Sequence, residues 1–258
     1  MTAAKSAFDL TGRVALVTGG NGGIGLGLAR GLAKAGASIM IAGRNGEKSK
    51  AAAAELSALG VQTATFDGDV SKPEVAKAMV DATVKALGRI DIYIANAGIN
   101  IRKQPQDYTP AEWQQILDIN LNGPFLGAQA VYPVMKAAGG GKIITTGSMM
   151  SLFGSPFASA YAATKGGIVQ MTRSLAVAWA KDNIQVNAIL PGWIETELTR
   201  GARRDVPGLH ERVLARSPTG RWGNPEDFEG IAVFLGGPAS DFVTGTAIPI
   251  DGGYSVVG

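Results

Sequence analysis

Cysteine is absent from the 258 residues. Disulfides, thiol nucleophiles and thiolate metal sites are thereby excluded. Histidine occurs once, at His210, which argues against a structural zinc site and leaves a Ser-His-Asp hydrolase a single candidate base in a polar stretch. His210 follows Pro207-Gly208 in a polar stretch and reads as a surface residue. Charge is also scarce: 17% of residues carry it and the net is +3. Without a dense Lys/Arg run interleaved with aromatics, no nucleic-acid surface is expected. No apolar run reaches the roughly 18 residues that a bilayer span requires. The N-terminal MTAAKSAFDLTGR lacks the apolar core of a secretory signal. A soluble cytoplasmic protein with no nucleic-acid or membrane partner is the expectation. Abundant instead are apolar side chains, 46% of the chain, enough for the core of one large domain.

Short β-branched runs alternate with helical stretches. Val14–Thr18, Ser38–Ala42, Thr63–Phe66, Asp91–Ala95, Lys142–Thr146, Ile184–Leu190 and Ala247–Ile250 read as strands. They are apolar on both faces, as central parallel strands are. Helix-like segments lie near 24–36, 46–59, 73–88, 110–137, 158–181 and 225–236. Two of them open on a capping box, Ser71-x-x-Glu74 and Thr109-x-x-Glu112, the second with Pro110 at the first helical position. Alternation of this kind predicts an α/β protein with a doubly wound parallel sheet covered on both faces. No repeat, linker or low-complexity tract divides residues 1–258, so a single domain is expected. Residues 193–218 fit neither pattern. Charged, broken by Gly201 and Pro207-Gly208, and placed directly after a strand, they form a candidate lid over a site.

Two local patterns carry chemistry. The first strand runs into Thr18-Gly19-Gly20-Asn21-Gly22-Gly23-Ile24-Gly25 and then an Ala/Leu-rich helix. Glycines there permit a tight turn and close backbone approach to a pyrophosphate, which the helix N-terminus attracts. The spacing Gly-x-x-x-Gly-x-Gly departs from the commoner Gly-x-Gly-x-x-Gly. In the stretch SAYAATKGG, Tyr161 and Lys165 stand four positions apart, on one face of a helix. A phenol loses its proton near pH 10, and a nearby cation pulls that value down. The pair suits an acid/base tuned for work near neutrality. Taken alone, a spacing this common reads more readily as a half-buried aromatic beside a solvated lysine.

The Thr18–Gly25 loop, Asn96-Ala97-Gly98, Ser148 and Tyr161-x-x-x-Lys165, in this order and spacing, resemble the short-chain dehydrogenase/reductase family. The resemblance runs from Leu16 to Gly253. It implies a single-domain Rossmann fold with a seven-stranded parallel sheet, binding NAD(P). It further implies that Tyr161 exchanges a proton with the substrate oxygen. Lys165 would lower the pKa of Tyr161 and hold the nicotinamide ribose, and Ser148 would position the carbonyl or alcohol. Asn120, in LDINLNG, matches the family asparagine that binds a relay water. Cofactor contacts carried over in the same way are Gly19, Asn21, Gly23, Ile24, Gly25, Asp69, Val70, Asn96, Ala97 and Gly98. Tyr161, Lys165, Pro191, Gly192, Ile194 and Thr196 complete that set. No metal is required. Homotetramers through the 110–137 and 158–181 helices and the C-terminal segment are implied as well.

The second strand ends in Gly43 where NAD-specific relatives carry an acid, and Arg44 follows. Gly43 leaves space, and a guanidinium can pair with a 2′-phosphate. NADP(H) is therefore expected, with NAD(H) as the alternative. Asn21 stands where many NADP-dependent relatives carry a second cation. Around the substrate, NAGINIR, SMMSLFG and GRWGNPED look most like the sugar-acid and polyol branch, which includes gluconate 5-dehydrogenase and 2-dehydro-3-deoxygluconate dehydrogenase. Arg102 is a candidate for a substrate carboxylate, with Arg203 and Arg204 behind it. Met150 and Trp193 are further candidates at the substrate mouth. Trp193 either narrows the mouth or packs the lid. Ser151 and Ser155 read as loop residues. A 3-oxoacyl-carrier-protein reductase or a cyclic or aliphatic ketone reductase is the alternative activity. A non-catalytic dinucleotide-binding regulator is the alternative class.

Overall fold

The computed structural model describes residues 6–258. The signal-sequence reading of the N-terminus therefore falls partly outside the described residues. Seven parallel strands form one sheet in the order β3-β2-β1-β4-β5-β6-β7. They are β1 (Val14–Thr18), β2 (Ser38–Gly43), β3 (Thr63–Asp67), β4 (Ile92–Ala95), β5 (Gly141–Thr146), β6 (Ile184–Pro191) and β7 (Ala247–Ile250). Every residue of β1, β4 and β6 is buried, whereas the edge strand β3 is half-exposed along its length. Full burial explains why the central strands lack the alternation of a one-faced sheet.

Nine α-helices cover the sheet among the described residues. On one face, α1 (Gly23–Lys34), α2 (Gly46–Ser57) and α9 (Glu229–Gly236), with the turn Pro225–Phe228 that leads into α9, pack Leu28, Leu32, Leu56, Phe228 and Leu235 against Val17, Ile39 and Ile94. On the other, α3 (Pro73–Leu87), α5 (Gly123–Ala137) and α6 (Ser159–Trp179) bring Met79, Val131, Met135 and Leu175 onto Leu16, Met40 and Tyr93. Strand order reverses between β1 and β4. Their carboxyl ends, Thr18 and Ala95, lie side by side there, and open α/β sheets bind ligands at such a reversal.

Several local expectations change. Lys72, not Ser71, caps α3, with Pro73 at its first position. The Ser71 backbone N–H instead bonds Asp69 Oδ1 at 3.0 Å, so the first predicted capping box does not form. The second does: Thr109 and Glu112 cap α4 (Pro110–Leu117) reciprocally. The single helix expected over 110–137 is α4 and α5 joined by a π-helical turn, Asp118–Asn122. Within 193–218 lie two short helices, α7 (Glu197–Asp205) and α8 (Leu209–Arg216). Thr196 and Thr199 cap α7 reciprocally, and Gly208, at φ +67°, precedes α8 in the left-handed region open to glycine.

Candidate active site

The glycine turn after β1 is held from two sides. Asn96 Nδ2 donates to the carbonyls of Thr18 and Gly19, both at 3.3 Å, and Thr18 Oγ1 accepts from the Asn96 and Ala97 N–H groups at 3.0 and 3.3 Å. The Asn96-Ala97-Gly98 loop thus fastens the ends of β1 and β4 together. Gly25 supports the same turn: a Cβ there would lie 2.2 Å from Gly19 O, so any larger residue displaces the backbone. Gly22 offers no side-chain cap and the first turn of α1 holds no acid. The N–H groups of that helix end are left for an anionic ligand.

Beyond the turn, Asn21 Nδ2 donates to Ser49 Oγ at 3.1 Å. A Cβ on Gly43 would meet that same amide nitrogen at 2.6 Å. The space expected at Gly43 is therefore filled by Asn21, and a side chain at 43 would have to displace that amide. Arg44 lies exposed on the neighbouring wall. Burial alone would raise the Asp69 carboxyl, but hydrogen bonds from Ser71 and the charges of Arg44 and Lys72 hold it below its ordinary range.

At the opposite end, Ser148 follows β5 and opens the short turn Met149–Ser151. Its Oγ accepts from Met150 N at 3.1 Å, while Ser151 Oγ accepts from Ser148 N at 3.2 Å and donates to Lys165 O at 2.7 Å. Ser151, read as an ordinary loop residue, is thus the tie between Ser148 and α6. Lys165 is 4% exposed. Its Nζ donates to Thr146 O at 2.6 Å and stands 5.5 Å from the centre of the Tyr161 ring. Asn120 is fully buried in the π-helical turn; its Oδ1 accepts from Ile99 N and its Nδ2 donates to Ile99 O, both at 2.8 Å. A further bond reaches Thr164 Oγ1 at 3.3 Å, beside Lys165 in the chain.

Burial raises the Tyr161 phenol above 10, although the bond to Ser148 and the charge of Arg102 pull it down. Burial also pushes the Lys165 ammonium down to about 8. The expected lowering of Tyr161 by Lys165 is therefore not the net result in the protein alone. Desolvation penalises both charged forms, and the ammonium is bonded to Thr146 rather than to the phenol.

Of the catalytic and cofactor-binding residues that the resemblance implies, all but Gly25 and Asn120 line one cavity of about 670 Å³. Gly25 and Asn120 lie behind its wall. Arg102 lines it half-buried, near enough for its Nη2 to donate to Leu198 O at 3.5 Å. Met150 and Trp193 line it as well. Trp193 also packs edge-on against Trp222 at 5.5 Å, in a cluster with Leu209 and Val213 of α8, so both roles weighed for it coexist. Arg203 and Arg204 do not line it. Arg203 bonds Glu195 and His210, each at 2.6 Å, and lies over the Trp222 ring. His210 stacks on Trp222 and is half-buried, a correction to its reading as a surface residue. Long-range packing by Trp222 brings it in, which no local pattern announces. Sequence reasoning also missed Lys48, Asn100 and Arg212 on the cavity wall. Among the described residues, no His/Asp/Glu group is assembled for a metal ion and no helix is long and apolar enough to cross a membrane.

Residues 19–255 match the family model described as Enoyl-(Acyl carrier protein) reductase. The chain is 40% identical over 250 residues to 2-dehydro-3-deoxy-D-gluconate 5-dehydrogenase of Escherichia coli K12, covering 96% of this chain and 98% of that protein. It is 37% identical over 249 residues to gluconate 5-dehydrogenase of Gluconobacter oxydans 621H, with 96% and 97% covered. Among solved structures, a gluconate 5-dehydrogenase from Burkholderia cenocepacia J2315 in complex with NADP and tartrate superposes with a TM-score of 0.93. That chain is 40% identical, with 98% of each covered.

Proposed function

The chain belongs to the short-chain dehydrogenase/reductase family, and from that premise we propose that it interconverts a secondary alcohol and a ketone on a sugar acid, preferring NADP(H) to NAD(H). One observation carries the reading. A single cavity joins the open N-terminus of α1 to Ser148, Tyr161 and Lys165. The residues fit a dinucleotide: the N–H groups of α1 suit its pyrophosphate, and Gly19, Gly22 and Gly23 leave the backbone open to close approach. Arg44 and the absence of an acid at Gly43 suit a 2′-phosphate. When bound, the nicotinamide accepts or gives the hydride.

The protein's own groups handle the proton and the geometry. Ser148 orients the substrate oxygen. Tyr161 takes its proton during oxidation and returns it during reduction. Lys165 has three donors, one of them on Thr146 O; the others serve the ribose and the phenol. Asn120 positions the Ile99 loop, and one lone pair on its Oδ1 remains for a relay water. Arg102 receives the substrate carboxylate. The named relatives support the sugar-acid class. Residues 1–258 act as one dinucleotide-binding domain, and 193–218 form its lid, since Thr196, Leu198 and Ala202 all face the cavity.

A screen of sugar acids, polyols, cyclic alcohols and ketones with both cofactors, read by nicotinamide absorbance, tests this. Sugar acids should lead. Arg102→Ala should raise KM for them by about 10- to 100-fold, as the loss of a charge-assisted bond of about 1.5–3 kcal/mol requires. Uncharged polyols should be nearly unaffected. Equal turnover of both classes, or an equal loss on both, overturns the assignment.

Assembly as a homotetramer is part of the same reading. Phe125 of α5 is 43% exposed and Val177 of α6 is 84% exposed, and Phe242 and Val256 add apolar surface near the C-terminus. Such patches mark interfaces. Light scattering at micromolar concentration should give four times the 26.5 kDa chain mass; a monomer mass would refute it. A diffusible dinucleotide and a cysteine-free chain fit a cytoplasmic setting.

A further inference from the structure

Lys48 has two claims on it. It stands in the first turn of α2, four residues after Arg44, and lines the cavity on the same wall as Gly43, Arg44 and Asp69. Its Nζ nevertheless reaches across to Glu197 Oε2, 2.9 Å away, at the first position of α7. Glu197 lines the cavity too. The ion pair therefore joins the wall beside Arg44 to the start of the 193–218 segment. The two sides also approach at the glycine turn, where a Cβ on Gly23 would lie 3.2 Å from the Thr196 methyl. Both partners are well exposed, at 55% and 84% of their side chains, and exposed pairs of this kind are readily exchanged for a better anion. The bond from Lys48 holds the Glu197 carboxyl below its ordinary range, with the charge of Arg200 adding to it.

We propose that Lys48 is a second 2′-phosphate-binding residue, held on Glu197 until NADP(H) arrives, so that the phosphate and α7 compete for one ammonium. A phosphate near its second ionisation carries between one and two charges and three acceptor oxygens. A single carboxylate cannot match it for Lys48. Binding of the 2′-phosphate thus loosens one tether of α7, whereas NAD(H), lacking that group, leaves the tether in place. Asn21, the loop position that offers no cation, is compensated by Lys48 from α2. The inference rests on the NADP(H) preference proposed above.

Competition makes the two partners of one ion pair respond with opposite signs. Calorimetric titration with 2′,5′-ADP and with 5′-AMP, which differ in the 2′-phosphate, reads this without turnover. Lys48→Ala should weaken 2′,5′-ADP by about three- to tenfold and leave 5′-AMP unchanged. Arg44→Ala, the reference arm, should weaken 2′,5′-ADP by tenfold or more. Glu197→Gln should tighten 2′,5′-ADP by about two- to fivefold, the value of an exposed ion pair. In Lys48→Ala/Glu197→Gln that gain should shrink to the small part due to the lost carboxylate charge. If Glu197→Gln leaves 2′,5′-ADP unchanged or weakens it, or if Lys48→Ala acts on both ligands alike, the competition is disproved. If the parent binds both ligands equally, the cofactor preference itself is wrong and the proposal falls with it. Unchanged circular dichroism and thermal midpoints of the variants exclude a folding cause.

Discussion

Tyr161→Phe leaves the fold intact and lowers kcat by about 10²–10⁴-fold, the usual contribution of one positioned proton-transfer group. Phenylalanine fills nearly the same volume beside Lys165 but has no hydroxyl proton to exchange. Ser148 still orients the oxygen, and the glycine turn still binds the dinucleotide, so KM for the cofactor should hardly move. The measurement is kcat at saturating substrate and cofactor, together with cofactor affinity by fluorescence titration. A variant that keeps a tenth of parental kcat would remove Tyr161 from the role of acid/base. The structure adds a pH signature. Burial raises the phenol in the protein alone, so the rate of alcohol oxidation should climb with pH through the neutral range and beyond. That climb should vanish in the phenylalanine variant.

Lys165→Met should lower kcat by about 10- to 10³-fold, because it removes the donors proposed for the ribose and the phenol and the ammonium beside the developing phenolate. The ammonium stands 5.5 Å from the Tyr161 ring. The same substitution changes stability in a pH-dependent way. Buried Lys165 gives up its proton near pH 8, against 10.5 in the unfolded chain. Between those values the unfolded chain binds more protons, so raising the pH favours the folded protein. Below pH 8 the cost of burying the charged form is fully present, on the order of 3 kcal/mol at about 1.4 per pKa unit. Urea titrations at pH 7.5 and 9.5 should therefore show the parent gaining stability on the methionine variant, by about 1–2 kcal/mol over that interval. A pH-independent difference would show that Lys165 is not held away from its ordinary pKa. Activity and stability thus oppose each other at this side chain, as they often do where a site holds a group in an unfavourable state.

Much of this was legible without coordinates because it is local. Strands β1, β2, β4, β5 and β6 follow from apolar, β-branched runs buried on both faces, whereas β3 and β7, read in the same way, are the half-exposed edges. The glycine turn follows from a strand that leads straight into glycines and an Ala/Leu helix. Tyr161 and Lys165 share a helix face whatever surrounds them. The order of the motifs along the chain, Thr18–Gly25 first and Tyr161-x-x-x-Lys165 after Ser148, identified the family before any distance was known. Boundaries were less readable. Ser71 looked like a cap, yet Pro73 takes the first helical position and Asp69 captures the Ser71 N–H. A turn competed with a helix for the same donor, and the turn won.

What only the tertiary structure decided depends on contacts that no local pattern announces. Asn21 fills the space beside Gly43 because β2 and the glycine turn are adjacent in the sheet. Ser151 joins Ser148 to Lys165 because α6 packs over the end of β5. His210 lies against Trp222 and Arg203, and Lys48 meets Glu197 across 149 positions of chain. None of these pairs has a periodicity or a spacing to betray it. The sign of the Tyr161 and Lys165 shifts is likewise a matter of depth. Sequence places a phenol and an ammonium side by side and so predicts attraction. The fold removes Lys165 from water and Tyr161 in part, and the loss of hydration outweighs a neighbour that bonds a carbonyl instead. Type and order of the groups belong to the chain. Their distances, and with them their charges, belong to the folded protein.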